Sequence, residues 1–76
     1  MRSATIKFQE KGKAKGYVIS ETDSGNIKVS LFVDLRREEE EIIKGKDVTQ
    51  VVSTYAHRLN QERVDHEITQ TVYFED

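Results

Sequence analysis

The sequence predicts an α+β fold: a mainly antiparallel sheet of about four strands, with one amphipathic helix packed on one face. Three observations lead there. Residues 27–35 alternate strictly between apolar and other positions, the period of a strand with one buried face. Residues 48–62 place apolar side chains at i, i+3 and i+4, the period of a helix with one buried stripe. Between the alternating segments lie short clusters of Gly, Asn, Asp and Ser, the residues that reverse a chain.

In chain order, "SATIKFQ" (3–9) puts Ala4, Ile6 and Phe8 on one face and Thr5, Lys7 and Gln9 on the other. "EKGK" follows, with a glycine able to take positive φ, and apolar residues resume at Tyr17, so 14–20 reads as the second arm of a hairpin. Its register stays open, because Tyr17 and Ile19 compete with Val18 for the inner face. "ETDSGN" (21–26) is the clearest turn. In "IKVSLFVDL", Ile27, Val29, Leu31, Val33 and Leu35 share the expected core face, opposite Lys28, Ser30, Phe32 and Asp34.

The segment "DLRREEEEIIKGKD" has helix-favouring Glu, Arg, Leu and Lys, a possible cap in Asp34 and a left-handed stop in Gly45. It predicts a short helix over 36–44. A glutamate-rich edge strand is the alternative, since charge on an edge discourages aggregation. Asp47 and Gln50 have the spacing of a capping box. The stripe behind them is Val48, Val51, Val52, Tyr55, Ala56 and Leu59. A last strand over 66–74 puts Ile68, Val72 and Phe74 on one face and Thr69, Thr71 and Tyr73 on the other. The order is β-β-β-(α)-α-β.

With 76 residues, 1–76 reads as a single domain whose small core leaves little stability margin. The absence of cysteine removes disulfides, thiolate zinc sites and cysteine nucleophiles at once. No long apolar run and no apolar leader is visible, so the expectation is a cytoplasmic protein without a membrane span. Charge is uneven: residues 1–20 hold Arg2, Lys7, Lys11, Lys13 and Lys15 against Glu10, whereas 48–76 hold Arg58 and Arg63 against five acids. A dipolar surface of this kind steers a partner or pairs with a second copy, but lacks the strong basic excess of a dedicated nucleic-acid binder.

"KGKAKGYVI" (11–19) is the stretch most suggestive of chemistry. It is not a phosphate loop, because its second glycine leads into a strand and no Lys-Ser/Thr pair follows. Lys15, Gly16 and Tyr17 match the opening of an RNP1-type strand, but Val18 and Ile19 stand where a small residue and a second aromatic belong. "TIKF", "KGYVI" and "FVDL" give the first half a partial likeness to a cold-shock domain, without that family's paired aromatics and with a helical half its barrel does not accommodate. No family is assigned on this ground.

Elsewhere chemistry is sparse. Consecutive glutamates (38–41) on a helix point around it and do not converge on an ion. His57 falls opposite the apolar helical stripe, and His66 lies near Asp65 and Glu67 with no nucleophile beside it in sequence. No catalytic residue, cofactor or metal site is expected. The most informative surface is the sheet face turned away from the helix, where Phe32, Tyr73, Thr5 and Thr71 should gather. The expectation is therefore a non-enzymatic, self-associating interaction module that binds another protein. The alternative is weak single-stranded nucleic-acid binding through Lys7, Lys11, Lys13, Lys15, Tyr17 and Lys28.

Overall fold

A computed structural model describes the backbone of residues 2–66 and 69–75 and the side chains of 2–62 and 71–75. The elements are β1 (Ser3–Glu10), β2 (Lys13–Glu21), β3 (Ile27–Val33), β4 (Arg36–Ile43), α1 (Val48–His66) and β5 (Thr69–Glu75). The strands form one antiparallel sheet in the order β4-β3-β2-β1-β5, with α1 on one face. This is the expected α+β class, with five strands where about four were predicted.

The additional strand is the segment predicted as a helix over 36–44. Residues Asp34 and Leu35 close a two-residue turn, both at positive φ (51° and 68°), and send the chain straight back along β3. Local helix propensity is outweighed here because β3 presents a full row of backbone donors and acceptors that β4 satisfies. The same turn ends β3 at Val33, so Leu35 does not join the core face; it is 96% exposed. A bulge between Leu31 and Phe32 breaks the pairing with β4. Beyond it Glu39 and Glu41 lie across from Leu31 and Val29 on the helix side, and Glu40 lies across from Ser30 on the outer side. Gly45 does take positive φ (75°), but it follows a strand and not a helix.

The first hairpin turns at Lys11 and Gly12, also both at positive φ, as a two-residue type I′ connection requires. Its register answers the open question: Tyr17 and Ile19 face the helix, and Val18 faces out. At the 21–26 turn, Thr22 N–H donates to Asn26 O at 2.9 Å and Gly25 N–H donates to Thr22 O at 3.0 Å.

The helix begins on the expected capping box. Gln50 N–H donates to Asp47 Oδ1 at 2.8 Å, and Asp47 N–H donates to Gln50 Oε1 at 3.0 Å. At about 1.5 Å per residue its 19 residues are long enough to cross all five strands, which lie roughly 4.8 Å apart. That crossing connects β4 at one edge to β5 at the other. It continues to His66, further than the expected 62, since the sequence there has neither glycine nor proline to stop it; the last strand starts correspondingly later. The core holds Ala4, Ile6, Phe8, Ile19, Ile27 and Val29 from the sheet, and Val48, Val51, Val52, Tyr55 and Leu59 from the helix. Ile68 as an inner-face residue, and the side chain of His66 with neighbours Asp65 and Glu67, lie outside the described residues. Among the described residues, no helix is long and apolar enough to cross a membrane.

Candidate interaction face

Helix α1 covers one face of the sheet, and among the described residues no layer lies over the other. Strand registers place its side chains in rows. One row runs Tyr73, Thr5, Val18, Ser30, Glu40, and the next runs Thr71, Lys7, Gly16, Phe32, Arg37. Gly16 has no side chain and Ala14 has one carbon, so these rows enclose a shallow open hollow of about 800 Å³. Its floor is Ala14 and Gly16, and its walls include Phe32 and Val18 on one side and Thr5, Thr71 and Tyr73 on the other. All four residues expected on this surface therefore border one depression. Lys7 lies over the Tyr73 ring, with Nζ 5.4 Å from the centroid. That contact places a positive charge at the rim.

A Cβ added at Gly16 meets only the carbonyl oxygen of Ile6, at 3.5 Å, which is an ordinary contact. Glycine is thus not forced here by the backbone, and in a strand it costs about 0.5–1 kcal/mol relative to alanine. Its effect is to keep the floor open.

Leu35 is the residue that the sequence pattern misplaced. It stands at the lip of the hollow beside Asp34, with a left-handed backbone. A non-glycine residue in that conformation costs about 1–2 kcal/mol, and here exposure brings no packing in return. Leu35→Gly is expected to stabilise the fold by about 0.5–1 kcal/mol, after subtracting the extra freedom that glycine has in the unfolded chain. The measurement is the urea midpoint. A lower midpoint than wild type would mean that Leu35 packs against the hollow in solution.

The six candidate nucleic-acid contacts do not share a surface. Lys7 and Lys28 are on the outer face and Lys11 is in the turn, whereas Lys13, Lys15 and Tyr17 alternate onto the helix side. Lys15 Nζ donates to Glu10 Oε1 at 2.6 Å there. Tyr17 contacts Phe8 (stacked, centroids 5.4 Å apart) and Tyr55 (edge-on, 4.7 Å), so its ring packs within the helix-side core and not on the outer sheet face.

A second, more polar depression of about 500 Å³ opens on the helix side around Tyr17, Tyr55, Arg58 and Glu39–Glu41. Tyr55 Oη donates to Glu41 Oε1, and the Arg58 guanidinium lies 5.1 Å from the Tyr55 ring centroid. Burial, then the hydrogen bond to Glu41, push the Tyr55 phenol up to about 12. Tyr17 is also raised, chiefly by burial and then by the charges of Glu39 and Glu62. Phenols this reluctant to ionise are held as neutral donors and packing groups, which suits a structural role. His57 is exposed. Among the described residues, no group of three or more His, Cys, Asp or Glu is placed to hold a metal ion.

Comparison with family models, curated proteins and solved structures finds no match to this chain.

Proposed function

We propose that the chain is a non-enzymatic interaction module that binds another protein on the outer face of its sheet and also associates with its own kind. The observation supporting this reading is the hollow floored by Gly16 and Ala14 and bordered by Phe32 and Tyr73. Tyr73 is 50% exposed in a chain too small to leave aromatic area in water without loss. An aromatic rim around an open floor with few charges suits an apolar side chain from a protein partner. A phosphate backbone would instead require a continuous basic track, and the lysines are divided between the two sides of the sheet.

The test is a photo-reactive phenylalanine analogue placed at position 32 and, as a control, at the exposed position 57 on the helix. Irradiation in the native cell is expected to give a discrete protein adduct from position 32 and none from position 57. Gly16→Leu, which fills the floor without a backbone clash, should abolish the adduct while the melting temperature holds. Equal labelling from both positions, or no adduct at 32, would overturn the proposal. A nuclease-sensitive adduct would overturn it in favour of nucleic-acid binding.

A further inference from the structure

The two edges of the sheet are built differently. The β4 edge reads RREEEEII, carries six charges in eight residues and is interrupted by a bulge. These are the devices that stop an edge strand from pairing. The β5 edge reads TQTVYFE, carries one charge, at its last position, and pairs with β1 through an unbroken register. Its residues are β-favouring, and Tyr73 on the outer face and Phe74 on the helix face are 50% and 55% exposed. So the unguarded edge exposes aromatic surface on both sides of the sheet.

Self-pairing would affect the two edges in opposite ways. Laid antiparallel on a second β4 with Glu40 on the axis, the acidic run sets Glu39 against Glu41 and Glu40 against Glu40, like charges directly opposed. Laid on a second β5, the strand opposes no like charges. Full overlap of the seven residues centres on Val72, setting Tyr73 against the second copy's Thr71 and Glu75 against the second copy's Thr69. This register pairs residues of equal parity, so both outer faces remain on the same side; a slip by one would turn one helix onto the other's outer face.

We propose that two copies of this chain join antiparallel through β5, across a two-fold axis at Val72, into one continuous ten-stranded sheet. The two outer hollows then share a border, with Tyr73 of each copy beside Thr71 of the other. This deepens the interaction-module reading by naming the second copy as the partner at the β5 edge; the Phe32 hollow itself stays open.

Two double variants test the register. In Thr71→Glu/Tyr73→Glu, each Glu meets another Glu across the axis. In Thr71→Glu/Tyr73→Lys, each Glu meets a Lys. Both variants lose the same aromatic, and Glu at 71 faces Lys7 of its own chain in both. Sedimentation should show wild type at twice its 8.8 kDa mass, the Glu/Glu variant dissociated and the Glu/Lys variant dimeric. The affinities of the two variants should differ by about tenfold or more. A monomeric wild type, or two variants that behave alike, would overturn the proposal. Amide exchange on the unaltered protein is the second reading: β5 amides should gain protection as concentration rises while β4 amides do not, and the reverse would also overturn it. Position 32 lies away from this edge, so loss of its adduct with the charge pattern intact would remove the outer-face reading alone.

Discussion

Ile6→Ala is expected to lower the unfolding free energy by about 3 kcal/mol, the middle of the range for deleting a buried aliphatic side chain. Ile6 has no exposed surface and sits in the core cluster that the helix closes. Its cross-strand neighbours are Tyr17 on β2 and Val72 on β5, so the cavity would open where three strands and the helix meet. Rigid sheet backbone on both sides limits collapse into the gap. For 76 residues the whole stability is on the order of 4–11 kcal/mol, so a loss of this size removes a large fraction of it. Ile6→Val, at about 1 kcal/mol, keeps the series measurable if the alanine variant does not fold. Denaturant titration gives both values. An Ile6→Ala midpoint within error of wild type would mean that α1 does not pack over β1.

Tyr55→Phe should cost about 1 kcal/mol at neutral pH, the usual net worth of one hydrogen bond, and should also remove a feature of the alkaline unfolding curve. In the folded state Tyr55 keeps its proton to about pH 12, whereas an unfolded tyrosine loses it near 10. Between those values the unfolded chain binds fewer protons than the folded one, so stability falls as pH rises. The Tyr55 contribution is fully present below pH 10 and gone by about pH 12. Lysines titrate in the same window, so the quantity to measure is the difference between wild-type and Tyr55→Phe melting temperatures. It should be constant up to pH 10 and shrink above it. A difference that stays constant to pH 12 would mean that neither burial nor the bond to Glu41 raises the phenol in solution.

Much of this architecture is legible because hydrophobic period reports which face is buried. The alternation of Ala4, Ile6 and Phe8, the alternation of Ile27 and Val29, and the helical residues Val48, Val51, Val52, Tyr55 and Leu59 all enter the core where expected, while Ala56 of the same stripe is only half-buried. The Asp47–Gln50 cap is equally local and was equally readable. The four outer-face residues Phe32, Tyr73, Thr5 and Thr71 follow from parity alone, because a strand that turns one parity toward the core must turn the other away from it.

Segment 36–43 is the opposite case. Its residues have helix propensity and, until Ile42 and Ile43, no apolar period, so nothing local distinguishes a helix from an edge strand. The decision comes from the open hydrogen-bonding edge of β3 and from a two-residue turn that brings the chain back onto it, and neither exists until the sheet forms. Leu35 was misassigned for the same reason, since alternation continues past the last paired residue and does not mark where pairing stops. Tyr17 was ambiguous because the consecutive apolar residues Tyr17, Val18 and Ile19 leave both faces of the hairpin arm apolar, and the Phe8 and Tyr55 rings that select the inner one lie nine residues before it and 38 after it in the chain. Thus composition and period by themselves determined an α+β chain with one buried sheet face, one amphipathic helix and an aromatic outer face. Only tertiary structure decided the fifth strand, the hollow over Gly16 and the contrast between a guarded and an unguarded edge, because strand order and edge exposure depend on which backbone groups find partners far away in sequence.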